Sequence, residues 1–265
     1  MTRKGCSCYL NWKAKGELVM MPLMKYFPFL MLVALLWLPG CAKQKVDGTA
    51  SAKADYEHGK SLVDTENYAR AAIWLEKFSS KHPYSEYAVK AEMLRLYAAY
   101  KDEEYILSET LATRFLERHP RHPDLAYVQY MLGLSYVKES GAFERDQTAT
   151  KHAIETFAKL INDYPTSSYV QESRRYFQKM RNKLAAHELY VGRFYFDHER
   201  YVAAVNRFQM VVKKYQTSPA IEESLYYLTA SYVRLKLMDS AREVAEILQH
   251  NYPKGVWSEK AAAVL

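Results

Sequence analysis

The chain has 265 residues, of which 49% are hydrophobic and 25% are charged, with nine Gly, nine Pro and three Cys. This composition excludes disordered, collagen-like and low-complexity classes, and three cysteines are too few for a disulfide-stapled fold. The formal net charge is +7, but residues 1–40 hold five Lys and Arg against one Glu, which leaves +3 for the remainder. That small excess, without a run of basic residues, gives little electrostatic case for a nucleic-acid partner.

The amino terminus is typical of a secretory signal. Lys25 precedes an apolar run from Phe27 to Leu38, whose 12 residues are too few to span a bilayer, which takes about 20. Such a run is long enough for the apolar core of a signal peptide. It ends in Leu38-Pro39-Gly40-Cys41, which resembles a bacterial lipobox, although Pro39 stands where Ala, Ser or Thr is usual. We therefore expect Cys41 to be acylated, the alternative being an ordinary signal peptide with a chance cysteine.

The predicted processing divides the chain into three parts. Residues 1–40 form an upstream extension plus a lipoprotein signal peptide that is removed. We expect the natural start at Met24, with Met20, Met21 and Met1 as the alternatives. Residues 41–53 contain the lipidated cysteine and a polar, aperiodic tether, which reaches at most about 45 Å when extended. Ala42 follows the cysteine where inner-membrane retention commonly uses Asp, so we expect the periplasmic face of the outer membrane of a Gram-negative bacterium. Residues 54–265 form the folded domain.

A marker recurs at the corners of this domain. It consists of an aromatic residue or His, then Pro, with Ser or a similar residue two positions later. Because Pro ends a helix and Ser accepts a backbone N–H bond at the start of the next one, each marker predicts a corner between two helices. The Pro positions, one of which holds Gln, are 37, 45, 51 and 37 residues apart, a period of 37 with insertions of 8 and 14. The markers begin at His82, His119, Tyr164, Tyr215 and Tyr252.

A second register precedes each marker. An apolar residue lies five positions before the Pro position. Gly59 and Gly192 each lie 12 positions before another fixed position of the repeat. That position, 12 residues before the Pro, holds a small residue in all five repeats, at Ala71, Ser108, Ala153, Ala204 and Ala241. Fixed offsets of Gly, Ala and Pro are typical of tetratricopeptide repeats.

The sequence therefore predicts an all-α fold, a tetratricopeptide-repeat superhelix of five helix pairs. An unrelated helical bundle is the alternative. The predicted pairs are 54–65 with 68–81, 85–100 with 103–118, 123–138 with 148–163, 167–196 with 199–214, and 218–234 with 238–250, followed by a short cap over 257–265.

The sequence contains no recognisable motif for catalysis or metal binding. His58-Gly59-Lys60-Ser61 contains the end of a phosphate-binding loop, but Ala54 stands where that motif needs Gly. His119 and His122 each precede Pro in a corner, so turn chemistry explains them better than a metal site. We expect no cofactor, no metal and no enzymatic activity, because no H-E-x-x-H, G-x-S-x-G or paired-carboxylate motif stands out.

In such a superhelix the first helix of each pair faces the concave side. When the inward positions are counted from the glycine position of each repeat, those of the first three repeats form a groove rich in Tyr and Lys. Tyr offers contact area and a hydroxyl, and Lys can meet a carboxylate, so the groove suits an extended peptide with aromatic side chains and a free carboxyl end. The alternative is that some tyrosines pack between repeats. The predicted groove residues are Tyr56, Lys60, Tyr97, Tyr100, Lys101, Tyr127, Tyr130 and Lys138.

Three stretches are more specific than the repeat pattern. They are His119-Pro120-Arg121-His122-Pro123 with the following Tyr127 to Leu134, Arg145-Asp146 in the insertion of 8 residues, and Tyr201 to Arg207. Together with the lipobox, the tether and the five repeats, they resemble the BamD family, lipoproteins of the outer-membrane β-barrel assembly machine. Gln147 departs from the family, which often has Pro there, and Gln216 marks the corner without its Pro.

This resemblance implies a membrane-anchored scaffold. Its amino-terminal repeats would receive unfolded outer-membrane proteins, and its carboxy-terminal repeats would bind the periplasmic domains of the central barrel subunit, with other assembly lipoproteins as further partners. Arg207, with its neighbour Asn206, matches the family's partner contact in repeat four, and Arg145 and Asp146 are assigned to partner binding as well. From the residues alone, Arg207 is open to a second interpretation as a solvated rim charge. The alternative function is a repeat lipoprotein that serves a secretin as pilotin or coordinates cell-wall synthesis.

Overall fold

The computed structural model of the protein describes residues 48–265, which form eleven α-helices and, within that range, no strand. Ten helices form five consecutive pairs, and the eleventh follows the last pair. They are α1 (Gly48–Asp64), α2 (Tyr68–Lys81), α3 (Ala88–Lys101), α4 (Tyr105–Arg118), α5 (Leu125–Glu139), α6 (Thr148–Asp163), α7 (Val170–Asp197), α8 (Tyr201–Lys214), α9 (Ile221–Arg234), α10 (Met238–Asn251) and α11 (Val256–Val264).

Packing follows the order of the chain. Each helix packs against the next, and the first helices of successive pairs also contact one another along the row α1, α3, α5, α7 and α9. This is the pattern of a tetratricopeptide-repeat superhelix, so the predicted fold is confirmed. α11 packs against α9 and α10, where it covers the last pair. The core is therefore a series of interfaces between neighbouring helices.

Helix boundaries differ from the predictions at two kinds of place. α1 begins at Gly48, so helix takes up the second half of the predicted tether. The helices after the markers begin three residues later than predicted at Ala88, Val170 and Ile221, because a turn separates the Pro from the helix. Ser85 and Ser167 act within that turn, where each Oγ accepts the backbone N–H two residues on, at 3.2 and 3.3 Å.

The markers and the buried register are joined by one repeated hydrogen bond. The residue before each Pro position closes the preceding helix, and its N–H donates to the carbonyl oxygen four residues earlier at 2.8–3.0 Å. The residue that accepts is in every case the apolar one of the register, at most 2% exposed. The pairs are His82 with Phe78, His119 with Phe115, Tyr164 with Leu160, Tyr215 with Val211, and Tyr252 with Leu248. The helix therefore ends where its last large core residue is buried.

The histidines of the first two markers each share a carboxylate with a neighbouring basic side chain. In repeat one, Asp55 Oδ2 lies 2.6 Å from Lys81 Nζ and 2.7 Å from His82 Nε2. Repeat two repeats the arrangement 37 residues on, with Glu92 within 3.1 Å of Arg118 and of His119. Each carboxylate joins the first helix of a pair to the end of the second helix. In repeat two this contact gives His119 a partner on the first helix of the pair.

Close approach within a pair depends on complementary residue sizes. A Cβ added to Gly59 would lie 2.6 Å from Leu75 Cδ2, and one added to Gly133 would lie 2.6 Å from Phe157 Cε1; Gly192 faces Phe208 in the same way. In repeats two and five the sizes are reversed. There Leu96 and Thr229 stand at the glycine position, and the positions that correspond to the large residue hold Ala112 and Ala245, all of them buried.

The connection within a pair is also repeated. Four of the five pairs are joined by a three-residue turn whose central residue has a φ of 58–63°, namely Glu66, Glu103, Glu199 and Lys236. The exception is the third pair, where residues 140–147 form the predicted insertion between α5 and α6. One loop therefore stands out from an otherwise regular array.

The size complementarity predicts the effect of Gly133→Ala. The added methyl group overlaps the Phe157 ring, so the substitution should lower the free energy of unfolding by about 1–3 kcal/mol, measured by urea denaturation. Gly141→Ala is the matched control, because its added Cβ lies at an ordinary 3.4 Å from the Arg145 side chain. Gly133→Leu combined with Phe157→Ala copies repeat two and should recover part of the loss. Equal stability of the wild type and Gly133→Ala would contradict the packing.

Candidate functional site

A hollow of about 260 Å³ opens on the row of first helices in repeats one to three. α1, α3 and the start of α5 contribute its walls. The hollow brings together Tyr56, Tyr97 and Tyr127, three of the predicted groove residues, and adds Lys90, Met93, Leu94 and Asp124. Its lining therefore combines aromatic rings, two aliphatic side chains and one charge of each sign.

The tyrosines beside the hollow are stacked on one another. The ring centroids of Tyr130 and Tyr169 are 5.1 Å apart in a stacked arrangement, and those of Tyr127 and Tyr169 are 5.8 Å apart. Burial, with the neighbouring hydroxyl of Tyr169, raises the pKa of Tyr127. Burial and Tyr176 raise the pKa of Tyr130 to about 12. Both phenols are therefore protonated at neutral pH and can donate hydrogen bonds, but Tyr130 also packs between repeats.

The predicted lysines lie elsewhere on the groove. Lys101 Nζ is 5.5 Å from the ring centroid of Tyr68, and Lys138 Nζ is 5.7 Å from that of Tyr105, both at the carboxyl ends of their helices. Tyr100 lies at the same end of α3 and packs against Tyr105 with ring centroids 5.7 Å apart. Lys60 is exposed and does not line the hollow.

The cation that the hollow does contain is Lys90, which the sequence analysis missed. It lies seven residues before Tyr97, two helical turns away on the same face of α3, so the helical period carried the signal for it. Its Nζ lies 5.5 Å from the ring centroid of Tyr87. Asp124 at the start of α5 was missed as well.

A second candidate surface surrounds the insertion of repeat three. Lys183 Nζ of α7 donates to the carbonyl oxygen and the hydroxyl of Ser140 at 3.0 and 2.9 Å. One turn further on, His187 Nδ1 donates to the Phe143 carbonyl oxygen at 2.6 Å. The rings of Phe143 and Tyr190 meet edge to face with centroids 5.9 Å apart. The loop is therefore attached to α7 through successive turns of one helix face.

Gln147 organises this loop from the inside. It is 4% exposed, and its Nε2 donates to the carbonyl oxygens of Ala142, Phe143 and Arg145 at 2.9–3.2 Å. Its Oε1 accepts a hydrogen bond from Thr150 at 2.8 Å. The side chain thus ties the loop to the first turn of α6.

The two predicted partner residues of the loop have different surroundings. Asp146 accepts the backbone N–H of Thr148 at 2.9 Å, and this bond holds the pKa of its carboxyl group below the usual value. Asp146 therefore helps to start α6. Arg145 is exposed, and no ion pair to it is found in the part of the chain that the structure describes.

Arg207 of α8 forms an ion pair with α7. Its Nη1 donates to Glu188 Oε2 at 3.0 Å, and its side chain remains 41% exposed. Glu188 follows His187 directly, so it lies about 100° further around α7 than the residue that holds the loop. Asn206 is exposed beside Arg207 and borders a shallow hollow of about 450 Å³ together with Val202. α7 therefore separates the loop from Arg207 and contacts both.

The base of the loop contains a carboxylate in an unfavourable position. Oε1 of Glu139, the last residue of α5, is buried without a hydrogen-bond partner among residues 48–265. Burial and the neighbouring Glu109 carboxylate raise the pKa of Glu139 to about 7. Glu109 already accepts the Tyr136 hydroxyl at 3.0 Å. At pH 7 the Glu139 side chain is thus close to half protonated.

This position predicts a pH-dependent stability. The folded-state pKa of Glu139 lies above its ordinary value of 4.5, so the fold binds an extra proton and loses stability as pH rises from about 4.5 to about 7. Glu139→Gln should weaken that decline and raise Tm above that of the wild type at pH 8, with little difference at pH 4. Glu144→Gln, at an exposed loop position, is the control and should follow the wild type. An identical pH profile for Glu139→Gln would contradict the assignment.

The fold defines a class of protein, a tetratricopeptide-repeat protein, with a hollow on the row of first helices and a separate face around the insertion of repeat three. No helix within residues 48–265 is long and apolar enough to cross a membrane.

Comparison with known proteins extends this classification. The profile of the YfiO family, described as an outer membrane lipoprotein, matches residues 49–248. The chain is 31% identical over 239 residues to the outer membrane protein assembly factor BamD of Rickettsia prowazekii (strain Madrid E), covering 89% of this chain and 95% of the relative. It is 31% identical over 243 residues to BamD of Neisseria meningitidis (strain DSM 15465 / Z2491), covering 85% and 91%. The chain therefore belongs to the YfiO outer-membrane lipoprotein family of BamD proteins, and the resemblance seen in the sequence is confirmed.

Among solved structures, the chain is similar to the TPR2AB domain of yeast Sti1, with a TM-score of 0.42 and 15% identity, over 81% of this chain and 83% of that one.

Proposed function

We propose that the protein is a non-enzymatic scaffold of the outer-membrane β-barrel assembly machine. In this proposal repeats one to three bind unfolded outer-membrane proteins, and repeats three and four bind the periplasmic domains of the central barrel subunit. Acylated Cys41, which lies outside the described residues, holds the chain on the periplasmic face of the outer membrane. Contacts with other assembly lipoproteins belong to the same proposal.

The hollow between α1, α3 and α5 is the observation that carries the proposal. Its aromatic and aliphatic walls can receive the aromatic side chains of an extended peptide, and protonated Tyr127 can donate to a peptide carbonyl oxygen. Lys90 at its edge can pair with a terminal carboxylate. Asp124 on the opposite wall disfavours a second negative charge, so the hollow favours one carboxylate at the end of a chain over an acidic segment.

Lys90→Gln tests the carboxylate contact directly. We expect it to weaken binding of a peptide with an aromatic residue and a free carboxyl end by up to about fivefold, the effect of an exposed ion pair. Binding of the same peptide with a carboxamide end should be unchanged, because it lacks the charge. Calorimetric titration of both peptides measures the difference.

Lys60→Gln is the control, since Lys60 lies outside the hollow, and it should bind both peptides as the wild type does. Equal effects of Lys90→Gln on the acid and on the amide would contradict a carboxylate contact.

Repeat four supports the second half of the proposal through its charge. Residues 170–214 contain ten Lys and Arg against four Asp and Glu, whereas the rest of the described chain has more acidic than basic residues. An acidic partner surface would therefore be attracted to this repeat in preference to its neighbours. Arg207 lies within it, and its half-exposed guanidinium is oriented by Glu188. Oriented Arg side chains are common among residues that dominate binding energy.

Arg207→Ala should therefore weaken binding of the central barrel subunit by about 2 kcal/mol, measured by surface plasmon resonance with its periplasmic domains. Arg242→Ala is the matched control, because Arg242 is an exposed arginine on α10 that pairs with exposed Asp239 at 3.4 Å. The control should bind as the wild type does, and circular dichroism should show both variants folded. Unchanged binding by folded Arg207→Ala would leave Arg207 as a solvated rim charge.

A further inference from the structure

The second helix of repeat one has a basic stripe around a half-buried tryptophan, which the proposed function does not use. Arg70, Trp74, Lys77 and Lys81 are spaced four, three and four residues apart, so they lie along one face of α2. Ile73 lies beside them and is 58% exposed. Arg70 and Lys77 are exposed, and the Lys81 side chain is 61% exposed. The stripe thus combines three cations with an indole and an exposed aliphatic side chain.

Nothing on α2 neutralises this stripe from within the helix. Its one acidic residue, Glu76, pairs with Arg95 of α3 at 3.2 Å. The other second helices do not repeat the pattern. At the position of Trp74 they carry Leu111, Thr156, Arg207 and Val244. The tryptophan and its neighbouring isoleucine are therefore specific to the repeat nearest the amino terminus.

Trp74 is held rigidly at the edge of a narrow slot. Its indole Nε1 donates to the carbonyl oxygen of Asp55 at 2.8 Å, and its ring meets that of His58 edge to face with centroids 4.4 Å apart. The slot has a volume of about 210 Å³, and Phe78 forms part of its wall. Asp55, Lys77 and Lys81 also border it, so the opening is flanked by two ammonium groups, of which that of Lys81 is paired with the Asp55 carboxylate.

The stripe also lies close to the predicted anchor. Asp55, which contacts Trp74 and Lys81, is seven residues from the start of α1 at Gly48, or about 10 Å along the helix. Gly48 lies seven positions after Cys41, a span of at most about 25 Å when extended. An anchor at Cys41 therefore keeps the slot within about 35 Å of the lipid headgroups.

We propose that the α2 stripe rests on an anionic phospholipid surface. Trp74 and Ile73 enter the interfacial region, and Arg70 and Lys77 face the lipid phosphates, while Lys81 keeps its ion pair with Asp55. The inference rests on the proposed function, because it takes the acyl anchor at Cys41 as given. The short tether favours the bilayer over an acidic protein as the occupant. The contact would fix the orientation of repeat one, and with it the concave hollow, relative to the membrane.

Tryptophan fluorescence tests this contact. After residue 40 the chain contains two tryptophans, Trp74 and Trp257, so Trp257→Phe leaves Trp74 as the sole reporter. The mature acylated chain is reconstituted into vesicles of phosphatidylglycerol whose acyl chains are brominated near the headgroup. We expect strong quenching of Trp74 emission, and weaker quenching in brominated phosphatidylcholine. Trp74→Phe is the matched control, and its Trp257 in α11 should not be quenched.

Charge variants complete the experiment. The double substitution Arg70→Gln and Lys77→Gln should reduce the quenching of Trp74 emission in the Trp257→Phe chain. Lys159→Gln, at an exposed position of α6, should leave that quenching unchanged. Sedimentation of the unacylated chain with Cys41→Ser on phosphatidylglycerol vesicles needs no tryptophan replacement, and binding should fall about fivefold for the loss of Arg70 and again for the loss of Lys77.

The outcomes separate this inference from the proposed function. A chain that floats with the vesicles while Trp74 stays unquenched overturns the membrane contact and leaves the anchor and the scaffold intact. Loss of partner binding in the Arg70 and Lys77 variants without any quenching would assign the stripe to an acidic protein instead. A chain that does not float with the vesicles overturns the anchor, and the membrane contact with it.

Discussion

The close approach of the two helices in each pair is the constraint on which the rest of the structure depends. A buried residue of one helix must match the size of its counterpart on the other, as Gly133 matches Phe157 and as Leu96 matches Ala112. Because interiors are close-packed, the match must be kept in every repeat, although either helix can carry the larger residue. The hydrogen bond that closes the second helix then lies one turn beyond the packed residue and places the corner.

Regular pairs place the first helices in a row, and this row makes the concave hollow possible. Tyr56, Tyr97 and Tyr127 come from three different helices, so they meet only if the repeats keep their register. The departures from regularity support the other surface. The insertion of repeat three and the 28-residue α7 contact each other through Lys183 and His187. A loop fixed in this way can present Arg145 without a large loss of conformational entropy on binding.

Much of this architecture follows from local sequence rules. The small and apolar positions of the register are buried in all five repeats. They could be predicted because a Pro corner and a helical period are both set by residues close together in the chain. The hollow was only partly predictable. Counting inward positions from the repeat glycines selected Tyr56, Tyr97 and Tyr127, which line the hollow. The count did not distinguish the two ends of each helix, so it included Lys101 and Lys138 and omitted Lys90.

Several side-chain contacts could not be read from the sequence, whether their partners are near in the chain or distant. No local pattern marks Gln147 as a residue that holds the loop, yet its amide donates to three carbonyl groups of the loop. The Glu188 partner of Arg207 lies 19 residues away on another helix, and no local pattern marks the pair. The start of α1 at Gly48 was missed because the residues of this segment are small and polar. Such residues do not prevent a helix.

Site-specific photocrosslinking in intact cells tests the central claim, that one superhelix binds substrate and the barrel subunit at separate places. A photoreactive phenylalanine analogue replaces Tyr97 in one strain and Arg207 in another, and the crosslinked proteins are identified by mass spectrometry. We expect newly secreted outer-membrane proteins at position 97 and the central barrel subunit at position 207. The same partner at both positions, or no outer-membrane protein at position 97, would contradict it.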